Sequence, residues 1–109
     1  MQEEKTQKVV NVKQELIKTG NASATVIITV DDGDTEETTE YQYSDTNFIF
    51  PLYNSLINTI ADMEDVNVHL KTNDSRFARE INGNPNKHTS LLNMLQNVKE
   101  RNQVTVYAY

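Results

Sequence analysis

Five strands and three helices in the order β-β-β-α-β-α-α-β, a mixed α/β domain on one sheet, is the class predicted for this sequence, and three observations predict it. Val66 to Gly83, VNVHLKTNDSRFAREING, reads as a buried strand, a polar turn and a short helix stopped by glycine, the unit from which parallel sheets are built. Ahead of it lie three extended runs whose apolar residues alternate with a period of two, the mark of antiparallel strands. Behind it, a helical period from Thr89 to Arg101 is followed by a last alternating run, VTVYAY.

Met1 to Thr6 is polar, and a flexible start is expected there, with residues 7–109 forming one domain. From Gln7 to Ile17, Val10, Val12 and Leu16 share one strand face and Val9 and Ile17 the other. Val9, Val12 and Leu16 also fit a helix. A strand is preferred because Thr19-Gly20-Asn21 follows as a turn and Ala22 to Val30 is extended, its β-branched Val26, Ile27 and Ile28 disfavouring helix. Asp31-Asp32-Gly33-Asp34 predicts a tight two-residue hairpin, since Asp-Gly takes positive φ readily. Thr35 to Tyr43 then sets Thr39, Tyr41 and Tyr43 against Glu36, Thr38, Glu40 and Gln42, a charged pattern that suits an edge strand.

A helix is predicted from about Phe48 to Met63, with Leu52, Leu56, Ile60 and Met63 on its core stripe and Pro51 confined to the first turn. Val66, Val68 and Leu70 form the next strand. Asn73, Asp74 and Ser75 supply capping side chains for a helix that ends at Asn82, and Gly83 closes it. Gly83-Asn84-Pro85-Asn86 breaks the chain before Leu91, Leu95 and Val98 define the last helix. Two helical crossovers should keep the last strands parallel to the first. Folds of this kind place their sites at the carboxyl end of such strands, here Thr72 to Ser75.

At 109 residues the chain has one core. It lacks cysteine, which excludes disulfides and thiolate metal sites. No apolar run approaches the ~18 residues of a membrane span, so a cytoplasmic location is expected, with no membrane partner. The net charge of −6 is unevenly placed: residues 1–66 balance to −9 and residues 67–109 to +3. The acidic part can meet a basic protein and the basic part can meet phosphate.

The element order resembles that of the ribonuclease H-like fold, over residues 8–109. Thr72-Asn73-Asp74-Ser75-Arg76-Phe77, leading to Ile81-Asn82-Gly83, resembles that family's T-D-S-x-Y/F turn and closing I-x-G, with Asn73 as an extra residue. Thr46-Asn47, before Leu52, resembles its T-N-x-x-x-E-L entry to the first helix. The resemblance implies hydrolysis of the RNA strand of a hybrid by two metal ions held on three or four carboxylates. Carried over residue by residue, Asp74 matches the acid after the fourth strand, whereas the helix glutamate falls on Pro51. The first-strand aspartate has no counterpart, Glu15 being the only acid there, and the last acid would fall beyond Tyr109. Asp74 and Glu15 are therefore weak metal candidates, no catalytic residue is assigned, no cofactor is called for, and the resemblance implies a degenerate, non-catalytic member.

Two binding surfaces are candidates. The acidic hairpin, Asp31, Asp32, Asp34, Glu36, Glu37 and Glu40, with the open edge beside it, would meet a basic protein, the leading expectation being a protein-interaction or inhibitor module. By analogy, a small, acidic, cysteine-free chain matches accessory proteins of phages and mobile elements, some of which block basic nucleic-acid enzymes. The alternatives are nucleic-acid binding through Lys71, Arg76, Arg79 and Lys87 around the central turn, and a residual metal-dependent nuclease using Asp74 and Glu15. Tyr41, Tyr43, Tyr107 and Tyr109 are weighed as a stacking surface against the plainer role of filling sheet faces under a helix. His69 and His88 lack partners at ligand spacing.

Overall fold

The computed structural model describes residues 7–83 and 89–109; the predicted flexible start, the Asn84-Pro85-Asn86 break, Lys87 and His88 lie outside them. The element order is as predicted: β1 (Lys8–Gly20), β2 (Ser23–Asp31), β3 (Glu36–Tyr43), α1 (Phe50–Ile60), β4 (Val66–Thr72), α2 (Ser75–Ile81), α3 (Thr89–Asn102) and β5 (Thr105–Ala108). Lys8–Gly20 is a strand throughout, which settles the helix alternative. One five-stranded sheet runs in the order β3-β2-β1-β4-β5. β1, β2 and β3 are antiparallel, and β4 pairs parallel with both β1 and β5.

Strand alternation decides which side chains are buried. Val10, Val12, Val26, Ile28, Val68 and Leu70 point to one face, where they form a single cluster with Leu52, Tyr53, Leu56 and Ile60 of α1, Phe77 and Ile81 of α2, and Leu95 and Val98 of α3. All three helices thus cover the same side. The other face is open: Val9, Ile17, Tyr107 and Tyr109 are exposed there. Among the described residues no helix is long and apolar enough to cross a membrane.

Three local differences from the sequence reading have physical causes. The β2–β3 loop has four residues, not two, because Asp31 pairs with Glu36 and the Asp31 and Asp32 side chains wrap the turn. α1 is shorter at both ends than Phe48 to Met63: Asn47 Oδ1 accepts from the Ile49 and Phe50 N–H groups, an Asx turn that delays the helix to Phe50, with Pro51 in its first turn. β1 runs three residues past Ile17, because Ile17, Lys18 and Gly20 pair with Thr25, Ala24 and Ser23 of β2; on its other edge Asn73 lends its side chain to the ladder at Leu16. Its Oδ1 accepts from Leu16 N at 3.0 Å and its Nδ2 donates to Leu16 O at 3.1 Å, as a strand residue would with its backbone.

Candidate functional site

β1 and β4 run parallel, so their carboxyl ends open at one end of the sheet, beside the entry to α1 and the start of α2. There the β4 backbone turns away after Thr72 while β1 continues. Asp74 caps α2, its Oδ1 accepting from Phe77 N at 2.9 Å. Behind it, Gln14 is 1% exposed and hydrogen-bonded on every side. Its Nε2 donates to Leu52 O (2.9 Å) and to Ser55 Oγ (3.1 Å), and its Oε1 accepts from Thr72 Oγ1 (2.7 Å). The amide nitrogen faces a carbonyl, which can only accept, so the orientation of the amide is set by chemistry.

The resemblance draws acids from the first strand, the first helix and the end of the fourth strand. The β1 residue that touches both α1 and the end of β4 is Gln14, a neutral amide, and the α1 position is Pro51. Glu15, one residue on, is exposed and lies by alternation on the open face. No group of three or more His, Asp or Glu side chains among the described residues is placed to hold a metal ion. The residues present do not fit the two-metal centre.

In front of Asp74 lies a cleft of about 610 Å³ walled by Lys18, Asn47, Phe48 and Ile49 on one side and by Asn73, Asp74, Arg76 and Arg79 on the other. Lys18 Nζ stands 4.7 Å from the centre of the Phe48 ring, a cation–π contact that steadies it at the rim. Arg76 and Arg79, three apart on α2, share one helix face and are exposed. Three cations against the single carboxylate of Asp74 make the cleft positive on a chain of net charge −6. Deeper in, Tyr53 donates to Glu80 Oε1 at 3.3 Å and packs edge-on to Phe77. Burial, reinforced by the Glu80 charge, pushes the Tyr53 hydroxyl well above its ordinary pKa.

The structure rearranges the predicted basic patch. Lys71 does not join Arg76 and Arg79: alternation along β4 turns Leu70 and Thr72 toward the helices and His69 and Lys71 to the open face. Its place in the cleft is taken by Lys18, which lies one residue beyond the predicted end of the strand at Ile17. Lys87 and His88 lie outside the described residues.

The acidic hairpin is also divided. Asp31 Oδ1 accepts from Gly33 N, and Asp32 Oδ1 from Asp34 N and Thr35 N, so these carboxylates build the turn. Those two amides hold Asp32 below the ordinary carboxylate pKa. Asp34 lies 4.0 Å from Lys8. Glu36 and Glu40 sit on the open face and Glu37 on the opposite side, all exposed.

The tyrosines separate as well. Tyr43 donates to Asn54 and meets Phe50 edge-on, beneath the start of α1, where burial and the neighbouring Tyr41 raise its pKa to about 12. Tyr107 and Tyr109 face solvent.

No protein-family model and no curated protein matches the sequence. Solved structures do. LC11 RNase H1, isolated from compost by a metagenomic approach and solved in complex with an RNA/DNA hybrid, superimposes with a TM-score of 0.74 at 14% identity, covering 92% of this chain and 84% of that one. The N-terminal RNase H domain of Rv2228c from Mycobacterium tuberculosis gives 0.71 at 14% identity, over 93% and 86%. RNase H1 from Halobacterium salinarum gives 0.58 at 12% identity, over 93% and 85%.

Proposed function

Since the fold is that of ribonuclease H, we propose that this chain is a non-catalytic member of that architecture that binds the phosphate backbone of nucleic acid in the cleft beside Asp74, with Lys18, Arg76 and Arg79 as phosphate contacts. The observation that carries the reading is the cleft itself: three cations from two elements converge on one cavity while the centre behind it is closed by the saturated, neutral Gln14 network. A neighbour of the same fold was solved with an RNA/DNA hybrid, which makes a hybrid the first ligand to try.

Fluorescence anisotropy with labelled hybrid and duplex at low salt tests it. Binding is expected to weaken with salt, and Arg76→Ala with Arg79→Ala to lower the affinity and flatten the salt slope by about 2, one phosphate each. Absence of binding at low salt, or a slope unmoved by the double substitution, sinks the proposal. Cleavage of the hybrid with Mg²⁺ or Mn²⁺ that disappears in Asp74→Asn refutes its non-catalytic part.

One observation favours a second reading, capture of a basic extended segment of another protein: β3 is one of the two edge strands, its far edge is unpaired among the described residues, and Glu36, Glu37 and Glu40 lie along it. Glu36→Gln, Glu37→Gln and Glu40→Gln together test it without disturbing the turn built by Asp31 and Asp32. Unchanged capture of a lysine-rich peptide by that variant eliminates it.

A further inference from the structure

The helix-free face of the sheet carries residues that the cleft leaves unexplained. Tyr107 of β5 and Tyr109 just past its end are each 58% exposed, with ring centres 6.3 Å apart and planes inclined by only 19°. Two large, nearly parallel aromatic rings, stacked on each other and more than half exposed, are a costly use of apolar surface unless something covers them. Beside them, strand register sets Tyr107 next to His69, and Lys71 of β4 directly opposite Lys13 of β1. Neither lysine has an ion-pair partner among the described residues. Like charges placed opposite each other across two strands repel, and an anion between them removes the penalty. Tyr109, His69, Lys71, Lys13 and Thr29 surround a depression of about 270 Å³. Asp31 and Glu36 close its far side.

From this arrangement we propose that the open sheet face is a second nucleic-acid site, specific for unpaired strands, where two successive bases stack on Tyr107 and Tyr109 and the adjoining phosphates lie over Lys71 and Lys13. Stacking needs bases whose faces are free, which a duplex does not offer and a single strand does. The same geometry sets the path. Asp31 and Glu36 repel phosphate from the β2–β3 half and Glu15 from the part of β1 beyond Lys13, so the strand follows β5 and β4 and reaches β1 at Lys13 only. A second protein copy is a poorer occupant, because Lys13, Glu15, His69 and Lys71 break the exposed apolar residues into isolated patches. The site shares no residue with the cleft and stands or falls separately from it.

The test is binding of labelled oligo(dT) and oligo(U) of about 12 nucleotides, within the site size of known single-strand binders. Both rings are exposed, so Tyr107→Ala and Tyr109→Ala keep the fold, and each is expected to weaken binding at least about fivefold, the lower end for loss of one base–aromatic stack. Tyr107→Phe and Tyr109→Phe keep the π faces and are expected to bind as the parent does. Lys13→Ala with Lys71→Ala should flatten the single-strand salt slope by about 1.4. Arg76→Ala with Arg79→Ala should leave the tyrosine dependence intact, which separates failure of this site from failure of the cleft. The proposal is overturned if the alanine variants bind single strands like the parent, if no single strand binds at low salt, if phenylalanine fails to rescue, or if the tyrosine substitutions instead dissolve a dimer seen by sedimentation.

Discussion

Replacing Gln14 with leucine keeps the approximate shape of the side chain and removes its chemistry. The amide makes three hydrogen bonds of 2.7 to 3.1 Å in a site that is 1% exposed. At about 1 kcal/mol net for each, the loss is about 3 kcal/mol. Ser55 Oγ keeps its own bond to Leu52 O, and half-buried Thr72 can turn to water, so the expected cost is about 2–3 kcal/mol. That is a large share of the ~5–15 kcal/mol that holds a domain folded. Urea unfolding reads it as a midpoint lowered by roughly 1–2 M at unchanged slope.

Gln14→Glu sharpens the test, because the carboxylate would face the Leu52 carbonyl with no proton to give. Its folded pKa must rise above the ordinary glutamate value of ~4.3. A raised folded pKa means that the folded state holds the proton more tightly. The variant is therefore most stable below that ordinary value and loses stability as pH climbs toward neutrality, while Gln14→Leu shows no such added dependence. A leucine variant within about 0.5 kcal/mol of the parent, or a glutamate variant that tracks the parent from pH 4 to 7, refutes the view that this amide organises the site.

Two further outcomes follow from the caps and the turn. Asp74→Ala should cost about 1 kcal/mol and Asp74→Asn much less, since the asparagine oxygen still accepts from Phe77 N; thermal melts check it. Asp32 is held below the ordinary carboxylate pKa by the Thr35 and Asp34 amides, so its contribution to the hairpin is present above the unfolded value and lost as pH falls through the folded one. A carboxyl titration by NMR that places Asp32 at or above the ordinary range contradicts that.

Periodicity made the architecture legible because each strand and helix buries one face, and Val10, Val12, Val26, Val68 and Leu56 announce those faces directly. The edge position of β3 was readable from its acids for the same reason. The site was harder. Gln14 did leave a signal, a polar residue between Val12 and Leu16 on an apolar face, but its three partners come from α1 and β4, distant in sequence. Lys18 joins the cleft because pairing with Ala24 of β2 carries β1 past Ile17, and Lys71 is absent from it because one step along a strand reverses the side. Charge clusters read as linear runs therefore mixed residues from two faces, and the pairing of strands separates them.

Asn82 repeats at the other margin of the sheet what Asn73 does near its centre: its Nδ2 donates to Ala108 O at 2.6 Å and its Oδ1 accepts from Ala108 N at 2.9 Å. This occupies an outward-facing pair of groups on a strand of four residues, while the eight-residue margin along β3 stays available. Unlimited ribbon growth requires two receptive borders. Here one border is short and partly occupied by Asn82, so β3 is the more receptive of the two edges and growth into a fibre is disfavoured relative to pairing along β3.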